Sequence, residues 1–156
     1  MKILVVYYSR SGNSRKAAEA IAKQLGADVE EIHDTADRRG PRGFLRSFVG
    51  AMKNEEATIT DKRRKHGVYD LVIVGGPVWV LGPSAPVAAY LESHKAQTKN
   101  VCFFCTKAIS HGRVFRKMEA VCGKAPLATA AFGAMKDARA HKDLLRFVET
   151  VKRLKV

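Results

Sequence analysis

Residues 9–14 read Ser9-Arg10-Ser11-Gly12-Asn13-Ser14, a stretch that crowds hydroxyls, a glycine and an amide into one turn. It follows the apolar run Ile3-Leu4-Val5-Val6-Tyr7 and leads into a helical pattern from about Asn13 to Leu25. Gly12 can take positive φ and let backbone N–H groups converge. Ser9, Ser11 and Ser14 add hydroxyl donors, and the helix N-terminus contributes about half a positive charge. Such a loop can cradle a phosphate dianion. The plainer alternative is a serine-rich loop that only caps its helix. The segment matches neither G-x-x-x-x-G-K-[ST] nor the dinucleotide pattern G-x-G-x-x-G.

A second signal is Gly75-Gly76-Pro77-Val78-Trp79-Val80-Leu81-Gly82-Pro83, directly after the apolar run Leu71–Val74. Glycines and prolines shape a loop, and the single Trp of the chain sits at its middle. An indole exposed beside an anion cradle is suited to stack on a planar ring. The alternative is an indole packed into the core.

The elements that must position these loops alternate along the chain. Strands are expected at Ile3–Tyr7, Val29–Ile32, Leu71–Val74, Val101–Cys105 and Leu127–Phe132. Helices are expected at about Asn13–Leu25, around Phe44-Leu45-Phe48-Val49-Met52, at Ser84–Glu92 with Ser84 as N-cap, at Gly112–Val121, and at Asp137–Arg153. Helical spacing of Ala17, Ala18, Ile21, Ala22 and Leu25 marks the first helix, and Gly26 ends it. Strict alternation predicts an α/β fold, a parallel sheet with helices on both faces and right-handed crossovers. Ligands of such sheets bind beyond the carboxyl ends of the strands. The loops to inspect are therefore 8–14, 32–42, 75–84, 106–112 and 132–137. One domain over residues 1–156 is expected, with no internal repeat.

The Ser-x-Ser-Gly-Asn-Ser loop resembles the phosphate loop of the flavodoxins. Gly-Gly-Pro-Val-Trp resembles their second flavin loop, and Ser84-Ala85-Pro86-Val87 leads into a similar apolar helix. Length and element order agree over nearly the whole chain. The resemblance implies a flavodoxin-like three-layer α/β/α sandwich with a five-stranded parallel sheet in the order 2-1-3-4-5. It implies one non-covalent FMN. Ser9, Arg10, Ser11, Gly12, Asn13 and Ser14 would form its phosphate loop, and Pro77, Val78 and Trp79 would pack along the isoalloxazine. The third loop, Thr106-Lys107-Ala108-Ile109-Ser110, would meet the ribityl chain or the pyrimidine side. That loop departs from the family in lacking both the second stacking aromatic and the glycines of many relatives.

Related architectures fail on residues. A response regulator needs an acidic cluster after the first strand and an Asp ending the third. The chain has Tyr7-Tyr8-Ser9 and Gly75-Gly76 there. A low-molecular-weight phosphatase needs a Cys opening the first loop. The cysteines are Cys102, Cys105 and Cys122. Cys102 and Cys105 form a C-x-x-C on an expected strand, where positions i and i+3 face opposite sides, so they read as packing thiols rather than a redox pair. The histidines His33, His66, His94, His111 and His141 show no ligand spacing. No catalytic side chain or metal ligand is assigned, because the flavin does the chemistry.

Composition bounds the rest. The chain has 156 residues, 46% hydrophobic, with 28 Lys+Arg against 15 Asp+Glu, for a net charge of +13. No apolar run approaches the roughly 20 residues of a membrane span. The N-terminus lacks a signal-peptide pattern, so a cytoplasmic protein is expected. Residues 95–124 hold seven basic side chains (Lys95, Lys99, Lys107, Arg113, Arg116, Lys117, Lys124) against Glu119 alone, and Lys62-Arg63-Arg64-Lys65 forms a run. Electron-shuttling flavodoxins are generally acidic, so a redox partner of this chain should be acidic. A cation about 6 Å from a reduced, anionic flavin is worth ~2–3 kcal/mol at an effective dielectric of about 20. Lys107 is thus expected to make the reduction potential less negative. Three roles follow: an FMN-binding electron-transfer protein; an NAD(P)H-dependent quinone-type FMN reductase acting on a small-molecule acceptor; and a polyanion- or nucleic-acid-binding module without redox activity. Few aromatics interleave with the basic clusters, which weakens the last reading.

Overall fold

Ile3–Tyr7 form β1, and all five side chains are buried, as a strand covered on both faces requires. The structure is a computed structural model that describes residues 1–34, 59–60, 66–80 and 82–156. After β1 come α1 (Asn13–Leu25), β2 (Asp28–Glu31), β3 (His33–Asp34), β4 (Ile59–Thr60), a 3-10 turn at His66–Val68, β5 (Leu71–Trp79) and β6 (Gly82–Pro83). The order continues with α2 (Ala85–His94), β7 (Asn100–Thr106), α3 (Val114–Cys122), β8 (Thr129–Phe132) and α4 (Ala138–Lys152). The expected helix around Phe44–Met52 and the Lys62–Lys65 run lie outside the described residues.

The main sheet runs β2-β1-β5-β7-β8, and its pairings are parallel. Counting only these strands, the order is 2-1-3-4-5, as the family resemblance implies. Alternate side chains of each strand feed two cores. Leu4, Val6, Val72, Val74 and Phe103 pack with Val87, Tyr90, Leu91, Val114 and Met118 of α2 and α3. Ile3, Val5, Leu71, Ile73, Phe104 and Phe132 pack with Ala17, Ile21, Leu144, Phe147 and Val151 of α1 and α4. Each fully buried Leu, Ile or Phe contributes about 1.5–3 kcal/mol relative to exposure. None of the described helices is long and apolar enough to cross a membrane.

Two expectations need correction. The third strand does not stop at Val74. It continues through Trp79, pairing with β7 as far as Pro77↔Thr106 and folding back on β6 through Val78↔Pro83 and Trp79↔Gly82. Gly75 and Gly76 therefore serve close packing rather than a turn. A Cβ on Gly75 would lie 2.3 Å from the Phe104 ring, and one on Gly76 would lie 2.8 Å from Val87 Cγ2. Second, Ser84 occupies the N-cap position of α2 but makes no side-chain capping bond. Its Oγ is buried with no hydrogen-bond partner among the described residues, while Pro86 in the first turn removes one amide that would need capping.

Candidate functional site: the carboxyl edge of the sheet

The loop after β1 turns into α1 through Gly12, whose φ of 92° lies in the left-handed region, where a side chain costs about 1–2 kcal/mol. Nothing lies within 4 Å of where its Cβ would stand, so the demand is conformational rather than steric. The Ser9 Oγ accepts from the Gly12 N–H at 3.1 Å and braces the turn, leaving the hydroxyl proton of Ser9 to be donated elsewhere. Among the described residues no side chain caps α1. The amides of its first turn, which have no intrahelical acceptor, point out of the helix with the positive end of its dipole. Ser11 is exposed, Arg10 and Asn13 are half-buried, and Ser14 is buried.

Two long-range bonds fix this loop against its neighbours. Ser14 Oγ and Thr106 Oγ1 share a buried hydrogen bond of 2.6 Å, joining the loop to the end of β7. The Asn13 amide donates to the Gly133 carbonyl at 3.0 Å and accepts from the Met135 N–H at 2.7 Å. Its side chain is thereby committed to the loop after β8, a use that a single sequence does not signal. Arg15, one residue on, meets Glu31 of β2 at 2.6 Å on the surface, a contact worth ~0–1 kcal/mol.

Of the two settings open to the indole, exposed beside this cradle or packed into the core, the structure has the second. Trp79 is 8% exposed, held in the β5–β6 ladder and set edge-to-face with Tyr8, with centroids 5.7 Å apart and planes at 88°. Tyr8 leads out of β1, so the indole packs between the first and second loops. Pro77 and Val78 are half-buried. Outward from Trp79 stands Val80, 48% exposed, at φ 46° and the only non-glycine residue with positive φ among the described residues.

In the third loop Thr106 is buried, Lys107 half-buried and Ala108 exposed. The Lys107 N–H donates to the Phe132 carbonyl at 2.9 Å, so the strand-like path extends one residue beyond β7. Past that anchor the loop stands clear of the protein, with Ile109 at 92% exposure. Three of the expected loops thus converge at one edge of the sheet. Of the other two, 32–42 is described only as far as Asp34, and the loop after β8 holds Asn13.

The cysteines stand apart from this edge chemistry. Cys102 belongs to one core and Cys105 to the other, so the C-x-x-C spans opposite faces of β7 as its strand setting predicts. Burial pushes Cys102 up to about 11 and Cys105 up to about 12, the latter partly offset by Lys107. Among the described residues no group of three or more His, Cys, Asp or Glu side chains is placed to hold a metal ion. Sequence reasoning missed a buried trio away from the site: the His66 and His94 rings lie 4.1 Å apart, and the Tyr90 hydroxyl is 2.9 Å from His66 Nε2.

The architecture is shared with known flavoproteins. A flavoprotein from Lactobacillus acidophilus, solved in complex with FMN, superimposes with a TM-score of 0.76 at 20% identity, covering 94% of this chain and 97% of that one. A putative flavoprotein from Bacteroides eggerthii gives 0.75 at 23% identity over 99% of both chains. One from Bacteroides uniformis gives 0.79 at 16% identity, over 95% and 97%. Among curated proteins no sequence matches this chain. The flavodoxin family model matches residues 2–151, and the chain belongs to the flavodoxin family.

Proposed function

We propose that this chain binds FMN without a covalent bond and transfers electrons through it. The observation that carries the reading is the uncapped first turn of α1 behind Gly12, a set of amide donors at the positive end of a helix beside the hydroxyls of Ser9 and Ser11, with Ser14 offering its backbone amide while its hydroxyl is held by Thr106. A phosphate dianion matches that donor set in charge and in hydrogen-bonding capacity. The residues present therefore fit the cofactor. Ser9 through Ser14 hold its phosphate, with Arg10 adding positive charge and Asn13 acting through its backbone while its side chain secures the loop. Pro77 and Val78, backed by the inward-turned Trp79, form the wall on the β5 side. Thr106, Lys107 and Ala108 form the wall on the β7 side. FMN supplies the electron-carrying ring when bound. The chain's own part is to anchor the phosphate, exclude water from the ring and set its potential by charge.

The chain's flavoprotein neighbours support this reading, and its net charge of +13 would favour an acidic partner. Purified protein mixed with FMN and passed through gel filtration should elute with flavin absorbance at one equivalent; elution without flavin contradicts it.

One observation favours a reductase variant. The third loop offers no aromatic, and its residues from Ala108 to Ser110 are exposed, which leaves room for a small donor or acceptor to approach the ring. Steady consumption of NADPH with a quinone by FMN-loaded protein supports the reductase; no turnover until a separate reductase is added supports the carrier.

A further inference from the structure

Val80 and Ile109 are the two large apolar side chains that the described carboxyl-edge loops turn outward, at 48% and 92% exposure. They stand on adjacent loops, since β5 and β7 pair up to Pro77↔Thr106. Val80 is also strained. A β-branched residue at φ 46° is a rare conformation that persists only where its surroundings impose it. Those surroundings are visible: the Trp79↔Gly82 pair closes the hairpin, Tyr8 meets the indole, and the Lys117 stem lies against Gly82, where an added Cβ would come within 3.2 Å. Ile109 projects three residues beyond Thr106, which is pinned to Ser14, and two beyond Lys107, which is pinned to Phe132. The indole, by contrast, is too enclosed to offer its face to a flat ring.

Resting on the FMN reading above, we propose that Val80 and Ile109, rather than Trp79, add side-chain contacts with the flavin ring beyond the walls formed by Pro77 and Val78 and by Thr106, Lys107 and Ala108. Trp79 is then a positioning residue that holds Val80 in its outward conformation. Aliphatic groups are good partners for such a ring, because covering it removes apolar surface on both sides from water. The strain at Val80 is retained because relaxing the loop would withdraw that contact.

The test combines calorimetric titration with FMN and thermal melting without it, on wild type, Val80→Asn, Ile109→Ala and Leu127→Ala. Asn tolerates positive φ, so Val80→Asn should melt about 2–4 °C higher while binding FMN about tenfold more weakly. Ile109→Ala should melt like wild type and also lose about tenfold in affinity, as expected for losing most of an aliphatic contact. Leu127, an exposed aliphatic residue that precedes β8 at the opposite edge, should change neither quantity on truncation. Wild-type affinity in both Val80→Asn and Ile109→Ala overturns this inference and leaves the FMN reading standing. No binding by wild type overturns both.

Discussion

The hydroxyls of Ser14 and Thr106 meet at 2.6 Å although 92 residues separate them. The first turn of α1 is thereby tied to the end of the fourth parallel strand, and the cradle and the third loop form one rigid edge. Both residues are nearly inaccessible, at 2% and 5% exposure, so neither hydroxyl can turn to water if the other is removed.

Thr106→Val keeps the shape of the side chain and leaves the Ser14 hydroxyl buried without its partner. Denaturant titration should show a loss of about 1–3 kcal/mol. Thr106→Ser retains the hydroxyl and should recover most of it. A valine variant as stable as wild type would show that the pair contributes nothing to the fold.

Gly75→Ala should be more damaging than Gly12→Ala. The added methyl at position 75 would collide with Phe104, a fully buried ring, and overpacking of this kind costs about 1–3 kcal/mol or more. At position 12 the space is open, and the cost is the ~1–2 kcal/mol of a left-handed residue. Chemical unfolding of the two variants side by side checks the order.

That contrast shows what could be read from the chain alone. The helical spacing of Ala17, Ala18, Ile21 and Ala22 and the run Ile3–Tyr7 are local patterns, and α1 and β1 appear where they predict. The left-handed turn at Gly12 is equally legible, because positive φ is a local demand. Gly75 and Gly76 read as a loop. Their role is set instead by Phe104, 29 residues away, and by Val87, contacts that no local spacing encodes. The choice between an exposed and a packed Trp79 stays open in the sequence for the same reason: Tyr8 receives the indole, and only the pairing of β1 with β5 brings them together. The commitment of Asn13 to Gly133 and Met135 is likewise a product of the sheet order.

The buried thiols should be unreactive in the folded protein. Desolvation raises Cys102 from an ordinary 9.0 to about 11 and Cys105 to about 12, so both remain protonated at pH 8. A thiol-specific reagent at that pH should label them only after denaturation. Because the folded-state values lie above the unfolded ones, the stability linked to these protons is complete below pH 9. It is lost as pH rises through about 11 to 12. Rapid native-state labelling of either residue would contradict this burial.

Lys107 is half-buried on the β7 side of the proposed cofactor site. A cation there favours negative charge on a reduced ring, so Lys107→Ala should move the two-electron potential to a more negative value. Allowing ~1 kcal/mol for a screened interaction, the shift is about 20 mV. A potentiometric titration of FMN-loaded wild type and variant reads it directly, and an unchanged or more positive potential removes Lys107 from that role.

The most direct test of the cradle at Gly12 compares FMN with riboflavin, which has the same ring but no phosphate, in parallel calorimetric titrations. FMN should bind at one equivalent and at least about 100-fold more tightly than riboflavin, as expected where several charge-assisted hydrogen bonds are made to the phosphate alone. Equal affinity for the two, or no heat with either, would contradict it.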